Sequence, residues 1–142
     1  AASEKGIEAI NRRDPGVVRH VIHHEQFKAT FTLGLKEGDT LDLGGLSLRV
    51  LLTPGHTAGS MCLYEPNLNI LICGDTVFAN GGIARIFESG DEKQYAESLE
   101  RLLEFATKTK LTAIYPGHGE FIVGVDNCLD SLKWSLDRAR RG

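Results

Sequence analysis

Apolar positions along this chain follow two periods, one of the strand and one of the helix. Residues 2–12 are polar apart from Ile7 and Ile10 on one side, which predicts a short helix. Val17 to Ile22, released by Gly16, is a β-branched run and reads as a strand. Phe31 to Leu35 alternates loosely. Leu41-Asp42-Leu43, the pair Gly44-Gly45, and Leu46 to Leu52 read as a hairpin, because two glycines supply the positive φ of a tight turn. Met61–Tyr64 and Asn69–Cys73 are two further strands, parted by a turn at Glu65-Pro66-Asn67-Leu68. The second is apolar after its first residue, which predicts burial on both faces. Asp91 with Gln94 forms a capping pair, and Tyr95, Leu99, Leu102, Leu103 and Ala106 then recur at helical spacing. Leu111–Tyr115 makes a strand, and a last helix carries Val125, Leu129, Leu132 and Leu136 on one face. The pattern is that of one α/β domain over residues 1–142, strand-rich first and helix-rich later, without repeat or linker.

Composition changes that picture little. The 142 residues suffice for one core, and 42% hydrophobic with 25% charged residues is ordinary for a globular protein. A net charge of −3 leaves no basic footprint for nucleic acid, so a nuclease is a distant reading. No apolar run reaches the ~18 residues of a membrane span. Three scattered cysteines, Cys62, Cys73 and Cys128, do not form a disulfide framework, which favours a reducing, cytoplasmic setting. Cys62 and Cys73 lie in apolar runs and read as buried thiols; Cys73 is the one close enough to a candidate site to warrant inspection.

The chemistry sits in three short loops. Thr53-Pro54-Gly55-His56-Thr57-Ala58-Gly59-Ser60 follows the strand ending at Leu52, Gly74-Asp75-Thr76 follows the strand ending at Cys73, and Pro116-Gly117-His118-Gly119 follows the strand ending at Tyr115. Each puts one imidazole or carboxylate beside glycine at a strand end, where functional loops tend to lie. Singly, His56 could cap a turn, Asp75 could be a turn acid and His118 a solvated loop residue. Together they point to metal binding. Imidazole and carboxylate suit zinc, iron or manganese, and a carboxylate can bridge two metals that activate a hydroxide nucleophile.

These three loops resemble the later metal-binding motifs of the metallo-β-lactamase superfamily, over roughly Leu46 to Val125. The resemblance implies an αββα sandwich. It also implies that His56 completes the ligand set of a first metal, that Asp75 bridges two metals and takes part in catalysis, and that His118 holds the second. Two divalent ions, zinc before iron or manganese, are implied as cofactors. Gly74 to Leu103 is most similar to the glyoxalase II-like branch, where a basic residue in a Gly-x-Gly-Lys/Arg segment contacts a substrate carboxylate. Gly82-Ile83-Ala84-Arg85 stands there, making Arg85 the candidate substrate contact; a guanidinium pairs a carboxylate through two parallel hydrogen bonds. Ala84 replaces a glycine, and Phe87 stands where an aromatic hydroxyl would help hold glutathione. Both weaken the case for glutathione as the thiol.

The superfamily's His-x-His-x-Asp-His signature is absent from these residues. His20-Val21-Ile22-His23-His24-Glu25 has the wrong spacing and reads as a polar edge strand. With a start at Ala1 directly in a helix-like stretch, this suggests a sandwich without its N-terminal half, with the other ligands upstream. Three protein ligands fall short of a two-metal site, so residues 1–142 alone are expected to be inactive. The expected function is metal-dependent hydrolysis of thioesters or related small acyl substrates by a metal-bound hydroxide. A non-catalytic binding module of the same fold and a single-iron oxidoreductase of the persulfide dioxygenase kind are the alternatives. The expected partner is a small acyl or thioester molecule, with neither nucleic acid nor membrane; the oligomeric state is not legible.

Overall fold

A computed structural model describes residues 2–11, 31 and 33–141. The β-branched run from Val17 and the His20–Glu25 segment lie outside the described residues. In chain order the elements are β1 (Ala2–Ser3), α1 (Glu4–Asn11), β2 (Gly34–Leu35), β3 (Thr40–Asp42), β4 (Ser47–Leu52), β5 (Met61–Glu65) and β6 (Ile70–Gly74). A short 3-10 turn (Ala79–Gly81), α2 (Glu92–Thr109), β7 (Ala113–Pro116), β8 (Ile122–Val123) and α3 (Val125–Arg141) complete it. β1 and β2 form a small parallel pair, and β3 to β8 lie side by side in sequence order in one six-stranded sheet. The β3–β4 hairpin turns at Gly44 and Gly45, both at positive φ as the glycine pair predicts.

Every neighbouring pair in this sheet is antiparallel except β6 and β7, which run parallel and are joined through α2. Parallel strands need such a crossover, and a helix on the sheet face is the usual one. α2 and α3 pack against each other. The core between sheet and helices contains Leu51, Cys62, Leu71, Cys73 and Ile114 from the strands, Leu99 and Leu102 from α2, and Cys128 and Leu132 from α3.

Burial of β6 on both faces is not observed. Leu71 and Cys73 face the core, but Ile72 between them is 41% exposed, and Val123 on the same side of the sheet is 63% exposed. α2 and α3 pack on the side of the sheet that Leu71 and Cys73 face, so strand alternation turns Ile72 to the opposite side. The last helix also departs from expectation. Its buried residues are Cys128, Ser131, Leu132, Ser135 and Leu136, whereas Val125 and Leu129 are only half-buried. Small serines let the 3-10 turn approach: Ser135 donates to the Gly82 carbonyl at 2.9 Å, and a Cβ on Gly81 would overlap Trp134. The capping pair forms by half. Asp91 accepts from Gln94 N–H at 2.7 Å, but the Asp91 N–H goes to the Gly55 carbonyl at 2.9 Å, tying α2 to the first candidate loop.

Candidate metal centre

Strand direction explains why the three candidate loops meet. β5 is antiparallel to both β4 and β6, and β6 is parallel to β7. β4, β6 and β7 therefore all run the same way, and the loops that follow them leave from one edge of the sheet.

The first loop is pinned at both ends. Thr53 N–H donates to the Ser60 carbonyl at 2.9 Å, and Ser3 Oγ donates to the Gly59 carbonyl at 2.7 Å. Gly55 adopts φ +147° with its α-carbon against the backbone of Tyr95, where no side chain fits. His56 follows. Its Nδ1 lies 2.5 Å from the Arg85 carbonyl oxygen, which can only accept, so Nδ1 carries the proton. The Nε2 lone pair is left facing Asp75, with Oδ2 at 3.7 Å.

The second loop begins at a register shift between Ile72 and Gly74, with Gly74 in the left-handed region. Thr76 and Thr53 share a buried hydroxyl contact of 3.1 Å that links the two loops. The third loop is hydrogen-bonded to the second through Gly117 N–H to the Gly74 carbonyl at 2.7 Å. His118 Nδ1 donates to Asp75 Oδ1 at 2.7 Å. Asp75 thus stands between two imidazoles, one on each oxygen. Its side chain is 25% exposed, His56 is 16% and His118 is 78%, so the centre opens to solvent on the His118 side.

Among the described residues no group of three or more His, Cys, Asp or Glu side chains is placed to hold a metal ion. By chemistry alone, two imidazoles and one carboxylate are donor types that a divalent metal takes, and Gly117 lies bare beneath the carboxylate, where a Cβ would sit 2.6 Å from Asp75 Oδ1.

Arg85 is exposed, with its guanidinium carbon 5.7 Å from the Phe87 ring centroid, and Phe87 stands edge-on to His56 at 4.8 Å. Cys73 is fully buried with its sulfur against the Val77 and Tyr115 carbonyls, and burial pushes its pKa far up, so it acts as a core thiol. Cys62, Cys73 and Cys128 are all free and buried. Sequence reasoning missed Tyr95, which it placed in the apolar stripe of α2. The hydroxyl of this 2% exposed residue donates to the Thr76 carbonyl at 2.8 Å and accepts from Ala84 N–H at 3.1 Å. A tyrosine in an apolar stripe carries an oxygen that needs partners when buried, and that was the available signal.

The family profile described as the metallo-beta-lactamase superfamily matches residues 13–118. The chain belongs to this superfamily. It is 41% identical over 108 residues to a hydroxyacylglutathione hydrolase of Nitrosococcus oceani, covering 74% of this chain and 37% of that protein. It is 34% identical over 87 residues to an acyl-coenzyme A thioesterase of Bos taurus, covering 61% of this chain and 31% of the thioesterase. The chain therefore spans about a third of the length of these curated relatives. Among solved structures, a metallo-beta-lactamase from Pontibacter korlensis superposes with a TM-score of 0.72 at 22% identity, over 99% of this chain and 57% of that one. That likeness establishes a metallo-beta-lactamase fold, of which this chain covers part.

Proposed function

We propose that the chain belongs to a metal-dependent hydrolase of thioesters or related small acyl compounds, with His56, Asp75 and His118 as metal ligands and Arg85 as the contact for a substrate anion. The observation that carries the reading is the convergence of two imidazoles on opposite oxygens of one carboxylate. Asp75, His56 and His118 would hold divalent ions, with the carboxylate shared between them. The names of the relatives support a thioester or acyl-thiol substrate.

The chain's own residues have separable tasks. Arg85 orients the His56 ring through its carbonyl, turning Nε2 toward Asp75. Asp75 holds His118 by its Nδ1 and leaves that ring's Nε2 free. The exposed Arg85 guanidinium, 5.7 Å from the Phe87 ring centroid, would take a carboxylate of the substrate through two parallel hydrogen bonds. Two bound divalent ions, zinc before iron or manganese, would supply Lewis acidity and an acidified water. Three donors fall short of two complete ligand sets, so the activity is proposed for the intact protein.

The test is Asp75→Ala in that protein, with metal per chain measured by mass spectrometry and turnover on an acylglutathione and an acyl-coenzyme A. Metal should fall by at least one ion per chain and turnover by about 100-fold or more, because a lost bridge leaves two cations repelling each other. Full metal with full turnover would overturn the proposal.

A further inference from the structure

We infer that Tyr95 is a positioning residue whose hydroxyl closes a circuit of contacts through His56, Asp75 and the Arg85 segment, so that one buried oxygen sets the geometry of both the metal-facing and the substrate-facing groups. The inference rests on the functional reading above and adds a residue that the reading does not need.

The circuit can be followed atom by atom. Tyr95 Oη accepts from Ala84 N–H at 3.1 Å. Ala84 is bonded to Arg85, whose carbonyl accepts from His56 Nδ1 at 2.5 Å. His56 Nε2 faces Asp75 Oδ2 at 3.7 Å. Asp75 is bonded to Thr76, whose carbonyl accepts from the same Tyr95 hydroxyl at 2.8 Å. The hydroxyl both donates and accepts, which a phenol can do only while protonated, and burial pushes its pKa up to about 12. The remainder of Tyr95 is fixed as well. Its ring lies in the core, its N–H donates to the Asp91 carbonyl at 2.9 Å, and its backbone forms the floor on which Gly55 rests, one residue before His56.

Removing the oxygen leaves the Thr76 carbonyl and the Ala84 N–H without their partner in a buried place, and each segment would shift to find another. Those segments carry Asp75 and Arg85. A residue that only filled space would lose none of this on becoming phenylalanine, because the ring volume is retained.

The experiment uses the intact protein and Tyr95→Phe, with zinc affinity measured by chelator competition and steady-state kinetics on a carboxylate-bearing thioester. Zinc affinity should fall about 10- to 100-fold, the usual effect of losing a group that orients ligands. KM should rise in Tyr95→Phe, and that rise should vanish when Arg85 is already alanine. Leu132→Val, a core variant on α3, controls for lost stability and should leave zinc affinity unchanged at a comparable drop in melting temperature. Should Tyr95→Phe fold poorly, exchange of the Ala84 N–H in the wild type gives the answer instead: zinc loading should slow it. A parent protein that binds none of zinc, iron or manganese overturns the functional reading and this inference with it. Zinc binding in the parent, together with equal affinity in Tyr95→Phe or unchanged Ala84 exchange, overturns the inference alone.

Discussion

Gly117→Ala adds a single methyl group beneath the Asp75 carboxylate and asks whether that carboxylate must stay where it is. An ideal Cβ at this position would lie 2.6 Å from Asp75 Oδ1, where ordinary contact begins at 3.4 Å. The oxygen must therefore retreat by roughly 0.8 Å, the difference between those two distances. Metal–ligand distances tolerate only about 0.2 Å, so the retreat is large on the scale that matters for coordination. On the scale of the fold it is small. The displaced atom is the end of a side chain, and the nearest backbone atom, Gly74 C, is 3.2 Å away. The cost to stability should be about 1 kcal/mol, the low end of overpacking. Zinc affinity should fall by about 10- to 100-fold, which corresponds to about 1.4–2.7 kcal/mol. Urea unfolding of the metal-free protein gives the first quantity and chelator competition the second. Unchanged zinc affinity in Gly117→Ala, alongside loss of zinc in Asp75→Ala, would show that the carboxylate does not bind metal from the position described here.

Two further expectations concern the frame around the centre. Gly55→Ala forces a Cβ into the Tyr95 backbone at φ +147° and should cost about 3 kcal/mol or more, whereas Gly38→Ala, at φ +82° with open space around it, should cost about 1–2 kcal/mol. Equal shifts in urea midpoint for the two variants would sink the packing account of Gly55. Alkali should destabilise the protein, because burial pushes Cys62 and Cys128 up to about 11 and Tyr95 up to about 12 in the fold, from ordinary values of 9.0 and 10.0. Folded pKa values above unfolded ones mean stability fully present below pH ~9 and lost as pH rises through 11. Fully buried Cys62 alone accounts for about 3 kcal/mol of that loss, and Cys62→Ala should flatten the slope in urea midpoints measured between pH 8 and 10.5.

Much of this architecture is legible in the residues, for a physical reason. Strands half-buried against helices alternate, and the glycines beside His56, Asp75 and His118 mark places where the backbone must turn sharply at a strand end. The parts that were not legible depend on neighbours far away in the chain. Ile72 looks like a core residue until its strand is seen to turn Leu71 and Cys73 instead towards α2 and α3. The buried face of α3 is turned towards Ser131 and Ser135, because small side chains matter where the Gly81 turn comes close. β8, at Ile122–Val123, is too short to show a period. The Asp91 N–H is claimed by Gly55 instead of its own capping partner. Within the centre, the pattern points to three side chains but is silent on the Arg85 carbonyl and the Tyr95 hydroxyl. A backbone acceptor has no signature in sequence, and a tyrosine among leucines signals that its oxygen needs partners without saying which.

The one parallel pairing in the large sheet bears on the order in which the molecule assembles. β3 to β6 follow one another as a meander whose pairings close short loops, while the pairing of β7 with β6 closes a loop that contains the whole of α2. Distant pairings are entropically expensive and come late. Asp75 and His118 follow those two strands, so contact order predicts that the carboxylate meets its second imidazole late in folding. Interactions absent from the transition state leave the folding rate untouched and slow the reverse reaction. A cation held at this edge would act as a latch on the finished molecule, lengthening its lifetime without guiding its formation.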